Sequence, residues 1–194
     1  MKSKKLIFIL FFFIFLNGTC LNSKEEFNFD VTEIEILNDG NFFRGLKRGN
    51  AKTVDNSITI TANTFEYDKI KNILTADGDV ILKDKIKNYV IESNQITYFK
   101  NNEIVFSKGK TKVLFENKYE AFSSDIELDK IANIISTNNK TKIFDDNYTE
   151  YETDLFHYSI DENTFIATAS TSAWRNLPKF CGSLNFKLNN ELST

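Results

Sequence analysis

The stretch "NILTADGDVILKD", residues 72–84, alternates apolar and polar side chains with the period of two that is typical of a β-strand buried on one face. The pattern returns in "NEIVFSKGKTKVLFE", residues 102–116, and again in "NIISTNNKTKIFD", residues 133–145. Strands with the same residue pattern, at a nearly constant interval along the sequence, indicate an internal repeat. This repeat decides the predicted fold.

The repeat is defined by columns of large apolar side chains. One column reads Tyr67, Tyr98, Leu128 and Tyr158, at intervals of 31, 30 and 30 residues. Two positions earlier lie Phe65, Ile96, Ile126 and Phe156, and seven positions later lie Leu74, Val105, Ile135 and Phe165. Each unit is therefore a strand pair with one apolar face, which it cannot bury alone. The units are predicted to stack into an all-β, antiparallel solenoid or folded-over sheet around a shared interior.

One further column predicts where each strand bends. It contains Gly78, Gly109 and Asn139, and glycine and asparagine tolerate the positive φ that a β-bulge requires. An upstream partial unit, "FFRGLKRGNAKTV" at residues 42–54, places Gly49 in the same column. We expect this partial unit to form the first edge of the sheet. Residues 170–194 depart from the repeat and are interpreted as a terminal cap or an unrelated tail.

The N-terminus is typical of a secretory signal peptide, predicted to span residues 1–22. "MKSKK" supplies three lysines, and the apolar run from Leu6 to Leu16 reaches roughly 16 Å as a helix, short of the ~30 Å of a bilayer core. The alternative is an uncleaved membrane anchor. The residues before Cys20 match a lipoprotein signal poorly, and Cys181 has no second cysteine in the exported part, so no disulfide framework is expected.

Charge and motif content exclude several functions. The chain has 24 basic and 27 acidic residues, and loss of the signal peptide makes it more acidic, so nucleic acid is excluded as a partner. The single histidine, His157, falls in the column that faces away from the apolar one. No phosphate-binding loop, nucleophile motif or metal-ligand set is present. We expect no enzyme activity, cofactor or metal.

The stretch "RGNAKTVDNSITITANTFEYDKIKNILTADGDVILKD", residues 48–84, resembles the OstA-type domain of lipopolysaccharide-transport proteins, a family that includes LptA and the N-terminal part of LptD. Arg48 to Ala51 match the Arg-Gly-Asn-Ala motif of that domain. The segment from Ala62 to Tyr67 and the Ala76, Gly78 and Val80 positions match its next two motifs. The resemblance covers residues 27–169.

The resemblance implies a periplasmic β-jellyroll, associated with outer-membrane assembly, that holds lipopolysaccharide acyl chains in an apolar groove. It also implies end-to-end strand addition to other proteins of this fold. The side chains expected to line the groove are Ile60, Phe65, Tyr67, Leu74, Val80, Leu82, Ile91, Ile96, Val105, Val113, Ile126, Ile135 and Ile143. Two alternatives stay open: a structural β-solenoid with a closed core, and a shortened LptD-like assembly protein without its barrel.

Overall fold

The computed structural model describes residues 26–168, which form one open, antiparallel β-sheet. The predicted signal peptide and the segment 170–194 lie outside the described residues. The strands are β1 (Phe27–Asp30), β2 (Ile34–Leu37), β3 (Phe42–Gly45), β4 (Gly49–Thr53), β5 (Ile58–Ala62), β6 (Thr64–Asp68), β7 (Ile73–Asp84), β8 (Tyr89–Phe99), β9 (Ile104–Phe115), β10 (Tyr119–Ser124), β11 (Glu127–Asp129), β12 (Ile134–Thr137), β13 (Thr141–Phe144), β14 (Glu150–Thr153), β15 (Leu155–Ser159) and β16 (Thr164–Thr168).

A single 3-10 turn, Asn38–Gly40, joins β2 to β3 within the described part of the chain. In that same part, no helix is long and apolar enough to cross a bilayer.

The three central strands, β7, β8 and β9, bend together near their middle, where β7 and β9 each contain a bulge. In β7 the pairing register shifts between Asp77 and Val80, and Gly78 there has a φ of 77°. β9 contains the matching bulge, where Gly109 has a φ of 76°. Both bulges lie opposite Asn94 of β8, so the bend passes straight across the three strands. The predicted role of the glycine column is confirmed for these two units.

The bend divides the sheet into two leaves that face each other. The first leaf contains β1, β4, β5, β10, β13 and β14 with the adjoining halves of the central strands. The second leaf contains β2, β3, β6, β11, β12, β15 and β16 with the other halves. We call the line of bulges the hinge. The opposite, open side, where the hairpin tips of both leaves end, is called the mouth.

Burial follows the predicted columns. In β7 every second residue is buried on either side of the bulge, including Leu74, Ala76, Val80 and Leu82. The predicted all-β, repeated antiparallel jellyroll is confirmed by this architecture.

Two expectations about the sheet are wrong. The partial unit at residues 42–54 is not the first edge, because β2 pairs outside β3 and β1 pairs outside β4. Position 49 requires glycine because another segment of the chain passes close to it: a Cβ there would lie 2.5 Å from the carbonyl oxygen of Asp30. In the third unit the strand does not bend through Asn139 but is interrupted between Thr137 and Thr141.

Candidate functional site

The interior between the two leaves is the largest apolar feature of the described chain. All thirteen side chains predicted to line it are buried, with exposures from 0% for Leu74, Leu82, Val113 and Ile135 to 7% for Ile143. The set is Ile60, Phe65, Tyr67, Leu74, Val80, Leu82, Ile91, Ile96, Val105, Val113, Ile126, Ile135 and Ile143. At this degree of burial the side chains of one leaf close over those of the other, so the interior is filled by protein atoms.

An aromatic cluster joins the leaves near β1. Phe27 of the first leaf meets Tyr67 and Tyr98 of the second edge-on, with ring centroids 5.2 and 5.5 Å apart. Phe29, on the same strand, lies 6.4 Å from Phe43. A cavity of about 280 Å³ opens beside these rings and is lined by Phe27, Asn28, Phe29, Phe43, Tyr67 and Lys69. The cavity borders the interior at this end, where Phe27 and Tyr67 remain buried.

A second aromatic cluster joins the leaves at the other end. Phe115, at the end of β9 in the first leaf, lies 4.6 Å from Tyr158 and 5.1 Å from Phe165 of the second leaf, centroid to centroid. Tyr119 meets Phe165 edge-on at 5.7 Å. These contacts seal the C-terminal half of the interior.

The two leaves are offset from each other across the strand direction, so the end strand of one leaf does not lie over the end strand of the other. β1 ends the first leaf, yet its Phe27 lies over Tyr67 of β6 and Tyr98 of β8. Nothing in the described first leaf extends over β2, so its inward-facing Ile34 and Ile36 remain 43% and 59% exposed. Ile36 pairs with Phe43, and Phe43 with Tyr67, which places all three on the inner face. The inner face of the sheet is thus uncovered at its β2 end.

Polar contacts cross the mouth. Lys87 Nζ, from the β7–β8 tip of the first leaf, lies 2.5 Å from Asp161 Oδ1, from the β15–β16 tip of the second. The Tyr158 hydroxyl donates to Glu116 Oε1 of the first leaf at 3.1 Å. Burial, followed by the charge of Glu116, raises the pKa of Tyr158, so this hydroxyl stays a donor at neutral pH. The tips of the two leaves thus meet through polar contacts across the mouth.

The β8–β9 tip carries a compact charge cluster. Glu103 accepts from the Tyr98 hydroxyl and from Lys100 Nζ, and Lys130 Nζ lies 3.2 Å from its Oε2. Burial opposes the charged form of Glu103, but these donors outweigh it and hold its pKa below the usual range. A second cavity of about 280 Å³ lies here, lined by Lys100 and Lys130 and by Glu26, Thr53, Val54 and Asp55.

The hinge has polar side chains on its inner side. The Thr111 hydroxyl donates to Ser107 Oγ at 2.8 Å, and Ser107 Oγ donates to the carbonyl of Ile126 at 3.2 Å. Among the described residues, no buried side-chain nitrogen or oxygen lacks a hydrogen-bond partner. Further buried polar side chains, those of Thr53, Ser57 and Asp84, lie at the mouth, and between these two polar lines the interior is apolar.

His157 is half-buried and lies beside Ser136 on one neighbouring strand and Ile166 on the other, in the column that alternates with the buried Phe156 and Tyr158. Within residues 26–168, no group of three or more His, Cys, Asp or Glu side chains is arranged to hold a metal ion.

Sequence reasoning missed several interior residues. Phe27, Phe29 and Phe43 precede the repeat, and Phe115 ends a strand beyond the last column that was aligned. The alternation of "FNFD" at residues 27–30 is the signal that could have found the first two. Tyr98, Leu128 and Tyr158 belong to an aligned column and are as buried as Tyr67.

No family model matches the chain, and no curated protein matches it significantly in sequence. Its fold does match solved structures. One is LptH from Pseudomonas aeruginosa, described as the LptA-homologous periplasmic component of the lipopolysaccharide transport device. The TM-score is 0.51 at 18% identity, over 63% of this chain and 89% of LptH. The chain has an Lpt-like β-jellyroll fold.

Proposed function

We propose that this chain is a non-enzymatic, periplasmic lipopolysaccharide-binding protein that holds lipid acyl chains between its two leaves on the way to the outer membrane. The observation that carries the proposal is the apolar interior itself, hinged on one side and bounded on the other by the mouth. The likeness to LptH and the OstA-like motifs of residues 48–84 support it.

Because side chains fill the interior, acyl chains enter only if the leaves separate at the mouth. Separation exchanges contacts between side chains for contacts between side chains and lipid, and the apolar surfaces stay out of water. Each acyl CH₂ that leaves water contributes about 0.8 kcal/mol. The bulges at Gly78 and Gly109 are where the angle between the leaves can change, since the ladder pairing is already broken there.

The proposed partners are lipopolysaccharide and further β-jellyroll chains that add strands end to end. Support for the second comes from β2, an end strand of the described sheet whose Ile36 leaves an apolar inner face uncovered. The signal peptide at residues 1–22 would export the chain. The proposed carrier domain spans residues 27–169.

Photo-crosslinking tests the proposal. A photoreactive residue at Val105 or Ile135, both buried in the interior, should capture lipopolysaccharide. The same residue at Lys108 or Asn138, both exposed, should not. Labelling of both pairs to the same extent, or of neither, would contradict the proposal.

A second candidate is a structural module with a permanently closed core. The complete burial of the thirteen interior side chains favours it, as do the aromatic contacts that seal the C-terminal half. This candidate predicts that nothing is captured at Val105 or Ile135 while the folded protein still assembles end to end.

A further inference from the structure

Three hairpin tips of the described chain share one five-residue motif. They are Asp68–Asn72 and Asp84–Asn88, both "DKIKN", and Asp129–Asn133, "DKIAN". In each, the Asp carboxylate accepts hydrogen bonds from the backbone N–H groups two and three residues on, at 2.8 to 3.1 Å. The final Asn has a φ between 54° and 57° in all three. Turn chemistry accounts for the Asp and the Asn.

Turn chemistry does not account for the isoleucine. Ile70, Ile86 and Ile131 are 75%, 73% and 74% exposed, so folding buries little of any of them. Backbone hydrogen bonds hold in place the hairpin tips that carry these isoleucines. The N–H of the lysine before each isoleucine donates to a carbonyl of a neighbouring tip: Lys69 to Asn41 at 2.9 Å, Lys85 to Ser57 at 3.1 Å and Lys130 to Glu103 at 3.0 Å. The chain therefore holds three apolar side chains out in water on an ordered framework.

The three tips lie along the mouth, on both sides of it. Ile70 and Ile131 belong to tips of the second leaf, and Ile86 to a tip of the first. Four strand spacings, about 19 Å, separate the two tips of the second leaf. Single aliphatic side chains this far apart do not form the continuous packed centre of a protein interface. They suit a deformable surface that accepts each one separately.

Lysines flank Ile70 and Ile86, whereas Ile131 lies between Ala132 and Lys130, whose amine contacts Glu103. Lys71 and Lys87 also pair with Asp68 and Asp161 at the rim of the mouth. Lys71 has a side chain 70% exposed, Lys85 is exposed, and Lys87 is 37% exposed. Long lysine stems let the amine reach an anionic group while the neighbouring apolar side chain goes deeper. Aliphatic residues at the tip with lysines beside them are the composition of segments that bind at the interface of an anionic bilayer.

We propose that these tips seat the mouth on an anionic lipid surface, with Ile70, Ile86 and Ile131 inserted below the headgroups. The inference rests on the proposed carrier function and deepens it, because a mouth seated in this way passes acyl chains between the bilayer and the interior without exposing them to water.

Site-specific fluorescence tests the inference on the full chain. With Cys20→Ser and Cys181→Ser as background, one cysteine at a time (I70C, I86C or I131C) is labelled with an environment-sensitive dye. On vesicles of phosphatidylethanolamine and phosphatidylglycerol, all three tips should shift to shorter wavelength and be quenched by brominated acyl chains. The control is F122C, at an exposed position on the outer face of the first leaf. Because the signal is local, it does not depend on which other segment brings the chain to the vesicle.

No shift at the tips, or the same shift at the control, would overturn the inference. The combined I70S, I86S and I131S variant should lose at least about tenfold in binding to these vesicles, whereas F122S should lose none. Lipopolysaccharide capture at Val105 without insertion of the tips would contradict this inference but not the carrier function. Insertion of the tips without capture at Val105 would contradict the carrier function but not the binding of the tips to lipid.

Discussion

Lys87 of the first leaf and Asp161 of the second hold their charged atoms 2.5 Å apart across the mouth, although 74 residues separate them in sequence. The two side chains are 37% and 54% exposed, and ion pairs this exposed are largely screened by solvent and contribute little to stability. The pair therefore marks where the leaves meet without holding them shut strongly. In the proposed function, lipid separates the leaves because its acyl chains replace the contacts across the interior.

Tying these two positions together should block lipid uptake. In a variant that carries Lys87→Cys and Asp161→Cys and no other cysteine, a cleavable thiol-specific crosslinker that spans the gap should prevent lipopolysaccharide binding. Reductant should restore it, because the leaves can then part. Binding measured before and after reductant makes each sample its own control, and unchanged binding in the linked form would show that lipid does not pass through the mouth.

A charge introduced into the interior should be costly. Val105 is 1% exposed, and Val105→Asp places a carboxyl group among apolar side chains, so we expect a loss of at least about 3 kcal/mol in the free energy of unfolding. Lys108→Asp, on the exposed face of the same strand, should change it by less than about 0.5 kcal/mol. Urea denaturation measures both, and equal effects would mean that the interior is wet.

The two bulge glycines should differ in their tolerance of alanine. Both have a φ near 77°, which costs an L-residue roughly 1–2 kcal/mol. At Gly78 a Cβ would also lie 2.6 Å from Asn63 Nδ2 and 3.0 Å from Asn63 Cβ, whereas Gly109 faces open space. Gly78→Ala should therefore lower the melting temperature more than Gly109→Ala. A larger decrease in melting temperature for Gly109→Ala would indicate that the tighter bend lies in β9.

Asp55 should make stability depend on acid pH. Hydrogen bonds, first from the Thr53 hydroxyl and then from Ser57, outweigh the effect of burial and lower the pKa of this carboxyl from 3.8 to about 2. A lowered pKa contributes stability above the unfolded value, and that contribution is lost as the pH falls from about 4 to about 2. Asp55→Asn should therefore flatten the fall in melting temperature over this window. Glu92→Gln, an exposed carboxyl on the outer face, is the control.

End-to-end assembly should depend on the uncovered end of the inner face. Ile36 of β2 is 59% exposed, so Ile36→Lys should leave the free energy of unfolding nearly unchanged. It should weaken self-association or association with another β-jellyroll chain, as measured by analytical ultracentrifugation, because the apolar surface next to the joining edge is lost. Val54→Lys, which is exposed on the first leaf away from that edge, should not. Unchanged association of the Ile36 variant would show that the chains join through a different surface.

Period-two alternation was enough to predict which face of each strand is buried, because that face depends only on neighbouring residues. Val105 and Ile135 illustrate this. The bend at Gly78 was also predictable, since few residues other than glycine accept its φ. The closure of the leaves was not predictable, because it depends on contacts such as that between Phe115 and Tyr158. Alternation along a strand carries no information about the angle between the leaves. The side chains expected to line a groove are buried between the leaves in the structure, and their contact with lipid stays a prediction.

The pairing of β1 with β4 escaped sequence reasoning for a related reason. Phe27 and Phe29 form part of a strand too short to show a repeat, and their burial comes from rings such as Tyr67 and Tyr98, far along the chain. The mouth residues were missed because exposed isoleucines at the tips disagree with the rule that turns are polar.

The hydrogen bonds that join successive tips also bear on how such a chain can grow. In the second leaf, Lys100 donates to the carbonyl of Asn72, Lys130 to that of Glu103 and Ile160 to that of Asn133, one bond for each repeat. Each unit thus meets its predecessor through the same backbone step, which requires no particular side chain. Duplication of one unit of about 30 residues would lengthen the second leaf by two strands, about 10 Å, and leave every other step intact. The length of the interior is therefore a property that gene duplication can change in whole units.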